Sequence, residues 1–176
     1  MIARIADQLF WFGRYVERAD NNARLLFVTH NLALDADLPA EDVWRPVLIT
    51  SGEHESFVTR HGEEATADAE RVQHALTWET ESWVSLRRTV AMARDNARTM
   101  REVISLEVWQ GINELHLWFD TAEATALYAG HRYDFYRHVQ RATQLILGFT
   151  RSTMLHDAAL DLLWLGEVQA VTGKPP

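Results

Sequence analysis

The stretch IADQLFWFGRYVERADNNARLLFVTH, residues 5–30, decides the fold of this chain. Within it, a set of mostly apolar residues recurs at alternating steps of four and three, which places them along one side of an α-helix. The set is Ile5, Leu9, Phe12, Val16, Ala19, Ala23, Leu26 and His30. This spacing is typical of helices in a left-handed bundle. We therefore expect one long helix over this stretch, with the other helices packed around it.

The composition favours a single acidic helical domain. With 176 residues, of which 47% are hydrophobic, the chain can bury one core; we assign it to residues 1–172 and expect a frayed tail at residues 173–176. The net charge of −8 argues against nucleic acid as a partner, because phosphate binding needs a basic surface.

The chain contains no cysteine, which excludes a disulfide framework and a thiol nucleophile. No apolar run of about 18 residues and no signal peptide is visible, so the expected location is the cytoplasm and no membrane contact is expected.

Three more long helices follow the first. The second begins near Ser82 and has its apolar line from Leu86 to Ile104. The third has its apolar line from Val108 to Ala126 and ends at Gly130, and the fourth begins with Asp134 as its N-cap and extends through Phe149. Four long helices that share one spacing predict an all-α fold, an antiparallel bundle supplemented by shorter helices.

Shorter segments complete the predicted architecture. The stretch 31–39 is rich in Asp, Asn and Pro and predicts a loop. Short helices are expected over 41–51, 53–60 and 66–78, started by Thr66 in the last case, and a final helix over 156–171.

The first two long helices show matching apolar lines. When the two lines are aligned without gaps, Ala93 aligns with Ala19 and Ala97 aligns with Ala23. Because small residues one turn apart allow two helix backbones to approach closely, we expect these helices to be direct neighbours through their alanines.

Known catalytic and metal-binding patterns are absent from the sequence. The chain has no P-loop, no dinucleotide-binding glycine pattern and no nucleophile elbow, and no histidine follows a glutamate by three residues as dimetal bundles require. His131, Asp134 and His138 could share one helical turn as metal ligands, but Asp134 as a cap beside two surface histidines is the simpler interpretation. We therefore predict no catalytic residue, no metal and no cofactor.

Polar residues of the first two long helices are the candidates for a binding site. One interpretation treats them as ordinary solvated helix faces. The other brings arginines of both helices together around Glu17, as a cationic pocket for a carboxylate or phosphate group or as a docking face for an acidic partner. The candidate binding residues are Arg14, Glu17, Arg18, Asn22, Arg24, Arg94, Asn96, Arg98 and Arg101.

The sequence resembles the Alpha-E family, bacterial helical proteins named for a Glu-Arg motif in their first helix. The resemblance is carried by IADQLFW (5–11), GRY (13–15), ERADNNAR (17–24), ARDNAR (93–98), EVW (107–109) and TMLHD (153–157), and so extends over most of the chain. Longer members carry a second Glu-Arg helix. Here residues 162–166 match 9–13, but Ala170 and Val171 replace the second Glu-Arg pair, so this chain corresponds to roughly the first half of those proteins.

The resemblance implies a context and two functional hypotheses. Members are typically encoded with a circularly permuted ATP-grasp protein and often a transglutaminase-like protein. The leading hypothesis is an accessory or scaffold protein of an ATP-grasp peptide or amide-bond ligase system, which binds the ligase or its substrate through the Glu17/Arg18 region. The alternative is an enzyme of peptide or amide-bond metabolism with Glu17 as general base in an arginine-lined pocket.

A third hypothesis is a purely structural homodimer. If the second half of the longer fold is missing, the surface that it would cover should be exposed. The final helix supplies apolar material for such a surface in Leu160, Leu163, Trp164 and Val168. A second copy could cover it, so a homodimer is expected.

Overall fold

The protein is all-α, as the sequence predicts. A computed structural model describes residues 3–35, 38–154 and 158–170. Within these ranges the chain forms nine α-helices, a short 3-10 helix at Glu63–Ala67 and no strand. The helices are α1 (Ala3–Asp35), α2 (Ala40–Ser51), α3 (His54–His61), α4 (Ala69–Trp78), α5 (Leu86–Thr99), α6 (Leu106–Trp118), α7 (Ala122–Gly130), α8 (Arg132–Thr153) and α9 (Ala158–Ala170).

Helix α1 lies at the centre of the bundle. It packs against α5, α8 and α9, and less extensively against α2. The predicted apolar line is buried over most of its length, at Leu9, Phe12, Val16, Ala19, Ala23 and Leu26. Ala93 and Ala97 of α5 are also buried, in agreement with the predicted close packing of α1 and α5. None of the described helices combines the length and apolar character needed for a membrane span.

The predicted third long helix is in fact two helices, α6 and α7, with a break at residues 119–121. Thr121 causes part of this break, because its hydroxyl oxygen accepts a hydrogen bond from the backbone N–H of Ala124 at 3.1 Å and thereby caps a new helix. The break rotates α7, so that Ala124 and Tyr128 are buried while Ala122 and Ala126, predicted to face the core, are exposed.

Several predicted boundaries are also wrong. Helix α1 continues through residues 31–35, which were expected to form a loop. Helix α5 ends at Thr99, although Ile104 remains buried. Asp134 lies inside the first turn of α8 and does not cap it, because α8 begins at Arg132. The predicted end of the final helix and the expected tail at residues 173–176 lie outside the described residues.

The start of α4 also differs from its prediction. Thr66 belongs to the 3-10 helix, and Asp68 is the N-cap of α4. The Asp68 carboxylate accepts hydrogen bonds from the backbone N–H groups of Glu70 and Arg71 at 3.0 and 3.1 Å. An aspartate two or three residues before free helix N–H groups is a stronger cap than threonine.

Helices α1 and α9 cross at two glycines, Gly13 and Gly166. A Cβ atom added to Gly13 would overlap the backbone carbonyl of Leu163 and come within 3.4 Å of the Glu167 nitrogen. A Cβ added to Gly166 would overlap the backbone carbonyl of Phe10 in the same way. The contacts are reciprocal, since each glycine touches the residue three positions before the other. The sequence match of residues 9–13 with 162–166 therefore corresponds to two segments that pack on each other.

This crossing overturns the premise of the dimer hypothesis. Leu160 and Leu163 are fully buried and Trp164 is half-buried, because α9 packs on α1 of the same chain. Only Val168 of the four residues is exposed, at 66%. The homodimer itself stays a prediction, but the apolar face that motivated it is already covered.

Substitution of either glycine at the crossing should destabilise the protein. In Gly13→Ala or Gly166→Ala the new methyl group meets backbone, which cannot rotate away, so the helices must separate. We expect the free energy of unfolding to fall by about 1–3 kcal/mol, the usual cost of overpacking, in urea denaturation.

Gly148 provides a matched control in the middle of α8. A Cβ atom there meets nothing within 4 Å, so Gly148→Ala should be neutral or stabilise the fold by up to about 1 kcal/mol through helix propensity. Equal effects of all three substitutions would contradict the close crossing.

Candidate functional site

The nine candidate binding residues do not converge on one pocket. Contacts distribute most of them over three places: a carboxylate cluster between α1, α8 and α9, a buried flank of α1 near the start of α5, and an exposed surface of α5 and α6. Asn96 contributes to none of these, because its side-chain amide donates to the Met92 carbonyl of its own helix at 2.8 Å.

Asp20 anchors the carboxylate cluster, which we define as Glu17, Asp20 and Glu167. Asp20 is 2% exposed. Its carboxylate accepts a hydrogen bond of 3.0 Å from the Thr143 hydroxyl of α8 and one of 2.7 Å from the Arg24 guanidinium. A buried carboxylate needs such partners to offset its desolvation. Arg24, 55% exposed at its side chain, therefore lies at the surface of the cluster.

Glu17 and Glu167 have raised pKa values. Burial is the main cause for both; proximity to Asp20 adds to the shift at Glu17, and proximity to Glu17 adds to the shift at Glu167. Arg151 of α8 opposes both shifts and pairs with Glu167 at 3.3 Å. The other carboxylate oxygen of Glu167, Oε1, is buried and accepts no hydrogen bond from the described residues. The cluster is thus an enclosed group of acids with cations only at its rim.

Arg18 lies on a different flank of α1 from Glu17. Neighbouring residues of a helix point about 100° apart, so the two side chains of the Glu-Arg pair meet different neighbours within the fold. Arg18 is 8% exposed and lies near Arg14 and Tyr15; burial first and Arg14 second lower its pKa. Arg18 therefore belongs to the interior of the fold.

Arg14 and Asn22 connect α1 to other elements. Arg14, 4% exposed, donates to the Gln169 carbonyl at 3.0 Å and so satisfies one of the last carbonyls of α9. Asn22 donates to the Val84 carbonyl just before α5. Both residues have a structural role that explains their polar character.

An exposed arginine surface lies on α5 and α6. We define the arginine face as Arg94 and Arg101 around Trp109, together with Arg98, which shares Asp95 with Arg94. The Arg94 and Arg101 guanidinium groups lie 5.9 and 4.7 Å from the Trp109 ring centre, and Arg94 also donates to the Asn113 amide oxygen at 3.1 Å. Asp95 is the one carboxylate of the described residues within 4.0 Å of these arginines, at 3.7 and 4.0 Å from Arg94 and Arg98. The same stretch, residues 94–109, also carries the exposed carboxylates Asp95, Glu102 and Glu107, so the face groups arginines without a large excess of positive charge.

No metal centre is present among the described residues, since they contain no group of three His, Cys, Asp or Glu side chains that could hold an ion. His138, one of the three residues considered as ligands, stacks on Trp118 at 4.0 Å between ring centres.

The sequence did not reveal two members of the carboxylate cluster, Asp20 and Glu167, or the hydroxyl of Thr143 that donates to Asp20. Asp20, Thr143 and Glu167 come from helices far apart in the chain, and nothing local marks them as partners. The match of residues 9–13 with 162–166 was the available signal, because a packed pair of glycine segments brings Glu167 next to α1.

Removal of the two carboxylates with raised pKa values, Glu17 and Glu167, should alter the pH dependence of stability. The folded state binds these protons more tightly than the unfolded chain, so both groups favour folding below the ordinary carboxyl pKa. That contribution is lost as the pH rises through the folded-state values. The stability of a Glu17→Gln/Glu167→Gln variant relative to the wild type should therefore increase between about pH 4 and about pH 7 in thermal melts.

Glu114→Gln, at an exposed position, is the control. The stability of this variant relative to the wild type should stay constant with pH. A difference that stays constant with pH for the double variant as well would show that burial does not raise these two pKa values.

Comparison with known proteins gives one match. No curated protein and no solved structure matches this chain. The model of the Alpha-E family, described as a predicted alpha-helical domain with a conserved ER motif, matches residues 1–169. The match includes the Glu17-Arg18 pair and both glycine segments, and it confirms the resemblance seen in the sequence. The chain belongs to the Alpha-E family.

Proposed function

We propose that this protein is an accessory or scaffold subunit of an ATP-grasp system that forms peptide or amide bonds. The circularly permuted ATP-grasp protein is its partner, with a transglutaminase-like protein as a second component. The observation that carries the proposal is the arginine face, because it groups three candidate binding residues on an accessible surface of a protein that belongs to the Alpha-E family.

The arginine face has the properties of a docking surface. Arg98 is 61% exposed at its side chain, and one nearby carboxylate, Asp95, is shared between it and Arg94. The Arg98 guanidinium is therefore accessible, and accessible positive charge attracts an acidic partner and accelerates association. Trp109 adds a flat apolar surface between Arg94 and Arg101, a combination enriched at interface hot spots.

The Glu-Arg motif then has a supporting part in binding. Arg18 is buried, so it contributes to the packing of α1 on its neighbours. Glu17 is half-buried beside Arg24 and Arg151. This assignment moves the contact surface from the Glu17/Arg18 region to α5 and α6. It keeps Arg94, Arg98 and Arg101 as binding residues.

A binding experiment with the ATP-grasp protein that is encoded together with this chain tests the proposal. The triple substitution Arg94→Gln/Arg98→Gln/Arg101→Gln should weaken the complex at least about tenfold in titration calorimetry, because it removes the charges that face the acidic partner. Binding of the wild type should also weaken as salt increases.

Arg4, Arg71 and Arg141 are exposed arginines outside the face, and their triple substitution with Gln changes the net charge equally. This control should bind like the wild type. Absence of any complex for the wild type, or equal loss in the control, would overturn the docking role.

A second candidate function is an enzyme with Glu17 as general base. The observation that favours it is the raised pKa of Glu17, which burial produces and which makes this carboxylate a stronger base than an exposed glutamate. In this case Glu17→Gln would abolish amide-bond formation in the reconstituted system and leave complex formation intact. In the docking proposal Glu17→Gln leaves both close to wild type.

A further inference from the structure

A cleft opens where α4, α5, α6 and α7 meet. Its volume is about 510 Å³, within the range of about 300–1,000 Å³ that small-molecule sites occupy. Three aromatic side chains and four polar ones line it: Trp78, Phe119, Tyr128, His74, Arg87, Asp120 and Thr125. None of them belongs to the arginine face or to the carboxylate cluster.

The floor of the cleft is aromatic and held in place. Phe119 and Tyr128 are 3% and 7% exposed. Trp78 meets both rings edge to face, with centres 5.6 and 5.5 Å apart, and the Arg132 guanidinium lies 4.0 Å from the Tyr128 ring centre. Phe119 and Tyr128 thereby hold the partly exposed Trp78 ring in place, so an aromatic ligand could pack on Trp78 at little cost in side-chain entropy.

The rim of the cleft carries one cation and one anion side by side. The Arg87 guanidinium donates to the Asp120 carboxylate at 2.6 Å, and the two side chains are 42% and 53% exposed. A pair this exposed contributes little to stability, so either partner can be exchanged for a ligand group at low cost. His74 and Thr125 are exposed beside them and can donate or accept further hydrogen bonds.

Charge and shape together define the ligand. A neighbouring cation and anion complement a neighbouring carboxylate and ammonium, which an α-amino acid carries on one carbon atom. The aromatic floor selects the side chain. We propose that this cleft binds a zwitterionic aromatic α-amino acid, with the carboxylate at Arg87, the ammonium at Asp120 and the ring on Trp78.

This site goes beyond the docking role and does not depend on it, because the two share no residue and the test uses the purified chain alone. The probe is L-phenylalanine, titrated at millimolar concentrations into ¹⁵N-labelled protein. We expect saturable amide shifts at residues 74–78 and 119–128. Doubly blocked N-acetyl-L-phenylalanine amide, which lacks both charges, should bind at least about threefold more weakly, because it loses two exposed ion pairs.

Two variants complete the test. Arg87→Gln should weaken L-phenylalanine binding about two- to fivefold, the usual effect of losing an exposed ion pair, whereas the exposed control Arg71→Gln should not change it. Thr125→Trp places a bulky ring at the mouth and should abolish the shifts while the circular dichroism stays that of the wild type. Absence of saturable shifts with the wild type, equal binding of the blocked compound, or undiminished binding by Thr125→Trp would overturn the proposal.

Discussion

The backbones of α1 and α9 touch at Gly13 and Gly166, and the positions of Arg14, Glu17 and Glu167 depend on this crossing. Two helices can come this close only where neither carries a side chain in the interface. Each glycine lies against the carbonyl of the residue three positions before the other glycine. As a result, α9 covers the flank of α1 that carries Arg14 and Glu17, and α1 is enclosed by α5, α8 and α9.

Enclosure of α1 explains why a polar helix lies in the interior. Arg14, Arg18 and Asp20 are each less than 10% exposed, which is costly unless partners are supplied. Asp20 receives hydrogen bonds from Thr143 and Arg24, and Arg14 reaches the end of α9. The motif that names the Alpha-E family is therefore a feature of the core and its margin. The surfaces that we propose for a partner and for a ligand both lie outside α1, the first near Trp109 of α6 and the second between α4, α5 and α7.

The sequence was sufficient for the fold and insufficient for the arrangement of the site. The helical secondary structure and the buried line of residues on α1 follow from the local spacing of apolar residues, which is present throughout residues 5–30. The break at 119–121 was missed although Thr121 carries a capping signal, because the apolar spacing continues across it. Convergence of the arginines could not be judged, since the partners Asp20–Thr143 and Glu17–Glu167 are set by packing of helices that are distant in sequence.

Native-state hydrogen exchange is the most direct test of the claim that α1 is the enclosed centre of the fold. Amides between Leu9 and Leu26 should be among the slowest to exchange, at rates set by global unfolding, while those of the peripheral helix α7 exchange through local opening. In the Gly13→Ala protein the protection of α9 should fall towards that of α7. Exchange of the α1 amides as fast as those of α7 in the wild type would contradict the account.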